Sequence, residues 1–234
     1  MQLFYNPQLT TVSDSLVFDR EESRHIIKVL RKKEGDNIFV TNGLGFLFKT
    51  QITMASEARC TVRIVSYEQS EKLPYRLHLA VAPTKMNDRY EWFLEKATEI
   101  GIGEITPIIC DHSERTQLKT ERMEKILQSA MKQSLHYHLP QLNAPVALRD
   151  FLNPSRDGQL FIAHCEESDK RSLKSALVPK SDVTILIGPE GDFSIGEIEL
   201  ARQKGYTAVS LGNTRLRTET AAVVACHSVA FVNE

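Results

Sequence analysis

From residue 76 onward the chain keeps one rhythm. Short apolar runs alternate with stretches whose apolar residues recur every three or four positions. "RLHLAVAP" (76–83) reads as a strand. "MNDRYEWFLEKATEIG" reads as a helix with Met86, Tyr90, Phe93, Ala97 and Ile100 on one stripe, ended at Gly101. Strand and helix then repeat: "EITPIIC", then "TERMEKILQSAMKQSLHYH" up to Pro140, then "QLFIAHCEE" and a weak helix over "DKRSLKSAL". The strand "DVTILIG" is apolar on both faces, so helices must cover it on both sides. "SIGEIELARQKG" follows as a helix opened by a Ser194–Glu197 capping box, then the strand "YTAVSLG" and the last helix "TETAAVVACHSVAFV". This alternation predicts an α/β domain with a mostly parallel sheet. From 221 to 232 the last helix is small or apolar nearly all round, which fits burial within the chain and a homodimer interface equally well.

The first seventy residues follow a different pattern. "SLVF" reads as a strand, and "REESRHIIKVLRKKEGD" as a helix ended by Gly35 with Ile26, Ile27 and Leu30 inward. "NIFVTNGLGFLFKTQITMA" reads as two strands about an Asn42-Gly43 turn. In "ARCTVRIVSYE", Cys60, Val62 and Ile64 alternate with Thr61, Arg63 and Val65, giving another strand. Short strands with turn residues predict a small β-barrel. The polar, proline-ended stretch 68–75 is the expected linker, dividing the chain into 1–70 and 74–234.

Formal net charge is −1, so any nucleic-acid surface must be a local patch. The clearest is 20–33, where Arg20, Arg24, Lys28, Arg31, Lys32 and Lys33, with His25, outweigh Glu21 and Glu22. By itself this run reads equally as a solvated helix face. The four cysteines, Cys60, Cys110, Cys165 and Cys226, form no C-x-x-C pair and sit in or beside apolar runs, as buried reduced thiols of a cytoplasmic protein do. No stretch resembles a secretory leader or a membrane span, and no His/Asp/Glu cluster has metal-ligand spacing, so no metal is expected.

Open α/β sheets bind ligands at the carboxyl ends of their strands. Three loops are expected there: the one after "LFIAHC", "GPEGD" and "LGNTRLRTET". None matches the phosphate-loop, dinucleotide or nucleophile-elbow patterns. "GPEGD" even carries Glu190 and Asp192, which a phosphate loop avoids. Alone, it reads as a plain strand-to-helix turn.

Taken together, "IGPEGDFSIGEIELA" and "LGNTRLRTETAA" resemble the knotted SPOUT RNA methyltransferases, most closely the RsmE-like family. "SRHIIKVLRKKEGD", "KMNDRYEWFLEKATEIGIGEITPI" and "LHLP" extend the resemblance along nearly the whole chain in family order. It implies a PUA-like barrel that docks RNA, followed by an α/β trefoil-knot domain, one of the exceptions to the unknotted rule. It further implies S-adenosylmethionine as cofactor, a homodimer, and methylation of uridine N3 in 16S ribosomal RNA, presented in the small subunit. Carried over by position, the cofactor loops comprise Gly188, Pro189, Glu190, Gly191, Leu211, Gly212, Leu216, Arg217, Thr218, Glu219, Thr220 and Ala221, with Ala163 and His164 from the preceding loop. Lys85 resembles a family lysine near the target pocket. The chain departs from the family at "MKQSLHYH", where Lys132 and Leu135-His136 replace an acidic residue and a glycine-arginine pair, and at Asp192, where a second glycine is common.

The residue chemistry agrees with this reading. S-adenosylmethionine has no phosphate and bears a sulfonium cation, so carboxylates suit it. Glycine turns leave backbone groups free for an adenine edge, and Ile187, Leu211 and Leu216 can sandwich the ring. Uracil N3 is protonated at neutral pH, so the site needs charge stabilisation or a base. Arg217 is the expected charge stabiliser, with Glu219 and Glu190 as base or as positioning partners. Arg217 could instead form a surface ion pair with Glu219. Arg24, His25, Lys28, Arg31, Lys32, Lys33, Lys85 and Arg115 are the expected RNA-binding residues. Two alternatives stand beside this function: a knotted methyltransferase acting on tRNA or 23S rRNA, and a non-catalytic RNA-binding assembly factor.

Overall fold

The computed structural model describes residues 1–166 and 170–234. Glu167, at the end of the expected strand "QLFIAHCEE", and Asp169, at the start of the expected weak helix, lie outside the described residues. The chain divides into two compact units, 1–72 with 131–139, and 73–130 with 140–234.

The first unit contains β1 (Leu3–Tyr5), β2 (Ser15–Val17), α1 (Arg20–Arg24), β3 (Asn37–Thr41), β4 (Phe46–Met54) and β5 (Thr61–Gln69). They form a curled five-stranded sheet in the order β1-β3-β4-β5-β2. Its inner faces share one core with Phe4, Phe18, Ile26, Ile38, Val40, Phe48, Ile52, Cys60 and Val62. The β4–β5 ladder shifts register between Lys49 and Thr50, the kind of irregularity that lets a sheet bend over its own core.

The helix expected up to Gly35 is shorter. Five residues of α-helix give way to a π-helical turn over His25–Val29, where the Leu30 amide reaches back to the His25 carbonyl. Arg31, at φ 55°, then ends it. Residues 33–35 are held as a turn by the Asp36 carboxylate, which accepts from the Lys33 amide, and by the Gly35 amide donating to Ile52 O. Ile26 is fully buried as expected, while Ile27 and Leu30 are partly buried against the same core.

The second unit is an all-parallel sheet. Its strands are β6 (Leu77–Val81), β7 (Glu104–Ile109), β8 (Gln141–Leu142), β9 (Val146–Ala147), β10 (Gln159–Ala163), β11 (Arg171–Ser172), β12 (Val183–Ile187) and β13 (Thr207–Ser210). The order is β11-β13-β10-β12-β6-β7-β8, with β9 on β7, and every pairing is parallel. β12 is thus inserted between two strands that precede it in the chain, a non-sequential order of the kind a knotted chain needs. The helices are α2 (Asn87–Ile100), α3 (Thr120–Ser134), α4 (Leu148–Leu152), α5 (Leu173–Ala176), α6 (Ile195–Gln203) and α7 (Thr218–Asn233).

All five residues of β6 and of β12 are buried, as an apolar run covered on both faces requires. Ala80, Ile162 and Leu186 meet Phe151, Leu152, Phe193 and Ala201 in one core cluster, while α7 packs along α2, β6 and β12. The fold class read from the sequence is therefore present: a parallel α/β domain preceded by a small curled β-sheet domain.

Three helices differ in detail. The buried stripe of α2 is Tyr90, Phe93, Leu94, Ala97 and Thr98, whereas Met86 precedes the helix and is 52% exposed. Gly101 ends α2 at φ 107°, as expected of a left-handed cap. α3 stops at Ser134 rather than Pro140 because Leu135 adopts φ 58° and the His136 amide returns to Met131 O. The segment 135–139 instead lies beside the β3–β4 turn, with Gly45 N donating to Tyr137 O and Leu139 N to Gly43 O. A Cβ at Gly45 would collide with the His138 ring. Within 170–177 the expected weak helix is present only as the single turn of α5, preceded by β11.

Candidate active site

β13, β10 and β12 are parallel neighbours, so the loops leaving their carboxyl ends must gather. They enclose a cavity of about 290 Å³ lined by Ala163 and Cys165 after β10, by Ile187 to Glu190 and Asp192 after β12, and by Arg215 to Thr218 and Ala221 around the start of α7.

The loop after β12 is fastened from several sides. Ile187 O accepts from Ala82 N (2.9 Å), and the Thr218 hydroxyl donates to Gly188 O (3.0 Å), which ties the start of α7 to this loop. A Cβ at Gly188 would lie 3.0 Å from the Phe193 ring, and one at Gly191 3.0 Å from His112 Cβ. Close packing behind the loop explains both glycines.

Asp192 sits at φ 63° with its amide turned back to Pro189 O (2.9 Å). Its carboxylate accepts from Cys165 N (2.7 Å) and Phe193 N (2.9 Å), bridging the loops after β10 and β12. The His112 ring lies 3.0 Å from Gly191 O and 3.1 Å from Asp192 O; with a proton on Nδ1 it donates to these carbonyls.

The expected capping box of α6 is formed, and it reaches further than the helix. Glu197, only 3% exposed, accepts from Ser194 N and from Asp111 N, both at 2.9 Å. The Ser194 hydroxyl donates to the Asp111 carboxylate at 2.7 Å. The loop after β7 is thereby locked to the loop after β12.

Of the residues named from the sequence, the structure brings Ala163, Ile187, Gly188, Pro189, Glu190, Leu216, Arg217, Thr218 and Ala221 into the cavity wall. His164, Gly191, Leu211, Gly212 and Thr220 do not line it. At His164 the reason is strand alternation, since Ala163 and Cys165 face the cavity and His164 turns inward. His164 is 9% exposed, its Nδ1 has no hydrogen-bond partner, and burial lowers its pKa. Cys165, Asp192 and Arg215 line the cavity without having been named as cofactor residues. Cys165 is also exposed, which corrects the expectation of four buried thiols; Cys60, Cys110 and Cys226 are buried. The only available signal was position, two residues beyond the last strand residue on the Ala163 side.

The charged groups divide by depth. Glu190 is exposed, and its Oε1 accepts from Lys85 N at 3.0 Å. Arg217 is exposed at the cap position of α7. It makes no ion pair with Glu219 among the described contacts. Glu219 is 7% exposed, its Oε1 lies 3.9 Å from Arg89 Nε, and its buried Oε2 has no hydrogen-bond partner.

Among the residues expected to bind RNA, Arg24, Lys28, Arg31 and Lys33 are exposed and Lys32 is half-buried. His25 is half-buried, with its ring edge-on to Phe4 and its Nε2 3.3 Å from Gln2 Nε2. Lys85 and Arg115 line a second cleft, where Lys85 pairs with Glu114 at 2.9 Å. Among the described residues, no group of three or more His, Cys, Asp or Glu is placed to hold a metal, and no helix is long and apolar enough to cross a membrane.

The chain matches known proteins over its length. Residues 71–230 match the family model of an RNA methyltransferase domain, and residues 18–65 that of an RNA methyltransferase PUA domain. The ribosomal RNA small subunit methyltransferase E of Rickettsia conorii is 30% identical over 233 residues, covering 97% of this chain and 94% of that protein. The crystal structure of a probable rRNA-methyltransferase from Porphyromonas gingivalis superposes with a TM-score of 0.92 at 40% identity, covering 100% of this chain and 98% of that one. A ribosomal RNA small subunit methyltransferase E from Neisseria gonorrhoeae, solved bound to S-adenosyl methionine, gives a TM-score of 0.89 at 25% identity, covering 100% and 98%.

Proposed function

We propose that this chain, which belongs to the RNA methyltransferase family, transfers a methyl group from S-adenosylmethionine to N3 of a uridine in 16S ribosomal RNA within the small subunit. The observation that carries the reading is the cavity itself. Three loops of a parallel sheet converge on a space walled by Ala163, Ile187, Leu216 and Ala221, with Glu190 and Asp192 at its edge. Apolar walls suit an adenine and carboxylates suit a sulfonium. The fit also rests on how tightly the loop is backed, since Gly188 and Gly191 leave no room behind it.

Residues 1–70 act as the PUA-like RNA-docking domain and 74–234 as the methyltransferase domain. The cofactor, when bound, supplies an electrophilic methyl group. The protein must hold uracil in line with it and deal with the N3 proton. Glu190, exposed at the cavity wall, takes that proton. Arg217, exposed at the same wall, holds the negative charge that develops on a flanking carbonyl oxygen. Glu219, buried beside Arg89, acts from behind as a positioning group at the start of α7. Arg24, His25, Lys28, Arg31, Lys32 and Lys33 supply phosphate contacts from the first domain, and Lys85 and Arg115 from the second.

The active form is a homodimer that works in the cytoplasm, where its cysteines stay reduced. Support for the dimer comes from the outer side of α7. Ala222, Ala225, Cys226 and Val229 are covered within the chain, while Val223 and Val224 remain partly open and Phe231 is 52% exposed.

The test is methyl transfer to small subunits and to free 16S rRNA, with the modified nucleoside identified by mass spectrometry. The expected product is 3-methyluridine. Any other methylated nucleoside overturns the reading.

A further inference from the structure

The second cleft of the methyltransferase domain encloses about 660 Å³ between the start of α2 and the segment that leads into α3. It adjoins the donor cavity through one shared contact. Glu190 lines the donor cavity, and its Oε1 accepts from the backbone amide of Lys85, which lines the cleft.

Its charge is uneven. Four cations line it, Lys85, Arg115, Lys119 and Arg122, against two carboxylates, Glu91 and Glu114. Both carboxylates are engaged, Glu114 with Lys85 at 2.9 Å and Glu91 with Arg122 at 2.6 Å. Arg115 and Lys119 have no ion-pair partner among the described residues. Neutral hydrogen-bonding side chains, Asn87, Thr116 and Gln117, share the walls, and buried Met123 with half-buried Leu118 gives apolar surface.

We infer that this cleft seats the single-stranded RNA next to the target base. Arg115 and Lys119 meet its phosphates, Asn87, Thr116 and Gln117 meet base edges, and Leu118 and Met123 lie under a base. The assignment rests on the methyltransferase reading above and extends it to a defined strand path. A single strand is favoured because its bases are free to turn into a cleft that offers amides and apolar surface as well as cations, whereas a duplex displays mostly backbone. The shared Glu190–Lys85 wall places a base held here beside the reacting methyl, as one strand leading to the target uridine requires.

The test compares the full-length protein with the double variant Arg115→Ala/Lys119→Ala, and with Arg202→Ala/Lys204→Ala, exposed at the carboxyl end of α6, as a charge-matched control. Binding to 16S rRNA is measured across a salt series, and S-adenosylmethionine binding by calorimetry. Removing two single-strand phosphate contacts should weaken RNA binding roughly ten-fold and flatten the log K against log salt slope by about 1.4. The control should match wild type, and cofactor affinity should be unchanged in both variants. The assignment is overturned if the Arg115/Lys119 variant keeps wild-type RNA affinity and salt slope, or if the control loses as much. It is also overturned if a competing acidic peptide, and not a single-stranded RNA oligonucleotide, displaces rRNA from the cleft. A wild-type protein that binds RNA but no S-adenosylmethionine would instead overturn the methyltransferase reading and leave the cleft result to stand.

Discussion

Asp192 shows how a residue outside the usual pattern can serve the same loop. A left-handed backbone costs a residue with a side chain on the order of 1 kcal/mol. Here the carboxylate at φ 63° accepts from Cys165 N and Phe193 N, and those two bonds offset the strain. Asp192→Gly separates the two effects, because glycine relieves the strain and loses the tie. It should weaken S-adenosylmethionine binding about ten-fold by calorimetry, the loss of one charge-assisted bond. Asp192→Asn, which keeps an acceptor and tolerates the conformation, should restore most of the affinity; equal losses in both would mean the charge matters and not the tie. At Arg217 the expected split is kinetic. Arg217→Ala should lower turnover by roughly 10²–10³ while cofactor affinity changes little, and matched losses would make it a binding residue. Which residues crowd this loop was legible in the motif pair. Which of them face the cavity was not, because His164 and Cys165 differ only in the side of the strand they leave from.

Among the elements, α6 does more than its sequence shows. The Ser194–Glu197 box was legible from spacing, since a cap needs only local contacts. That Glu197 also holds Asp111, 86 positions away, was not. Glu197→Ala should therefore cost about 2–3 kcal/mol in urea unfolding, more than an isolated cap, because two part-buried amides from distant loops lose their acceptor. A loss under about 1 kcal/mol would reduce Glu197 to an ordinary cap. The helices at 20–35 and 120–138 carry the opposite lesson. Periodicity continued past their true ends, where Arg31 and Leu135 in left-handed conformations turn the chain and contacts beyond each helix then hold it. Asp36 and Ile52 hold the turn after the first, and the β3–β4 turn receives the chain after the second. The departure from the family at Lys132 to His136 falls in that segment, where Lys132 pairs with Glu22 at 3.1 Å.

At the scale of the whole molecule, two properties can be measured. His78 is buried at the amino end of the parallel sheet, with Nε2 2.7 Å from the Thr106 hydroxyl and Nδ1 3.6 Å from Glu104. Desolvation lowers its pKa to about 4; Glu104 opposes the shift, while Arg156 and Arg76 add to it. The folded state therefore favours neutral imidazole. That contribution is fully present above the unfolded value near 6.5 and is lost progressively as pH falls from there through about 4. Urea midpoints should fall across this window, and His78→Gln should flatten that part of the profile; an unchanged profile would place the acid sensitivity elsewhere. The second property is assembly. Phe231→Asp on the open side of α7 should convert a dimer to a monomer in light scattering without unfolding the domain, and a dimer that persists would move the interface off α7.

The sequence by itself determined the class of the fold, the position of β6, β7, β10, β12, β13, α2, α6 and α7 in the second domain, and the loops that line the donor cavity, while β8, β9, β11 and α4 carried no readable pattern. Those features follow from local periodicity, from caps and from a motif pair only one helix and one strand apart. The tertiary structure alone decided how far each helix runs, that β12 lies between β10 and β6, and which side chains face the cavity. It also decided that Glu190 stands exposed at the cavity wall while Glu219 is buried near Arg89. The physical reason is range. Periodicity reports which side of an element is apolar, whereas side-chain depth, loop ties such as Cys165–Asp192 and Asp111–Glu197, and a shared wall such as Lys85–Glu190 exist only after distant segments have packed.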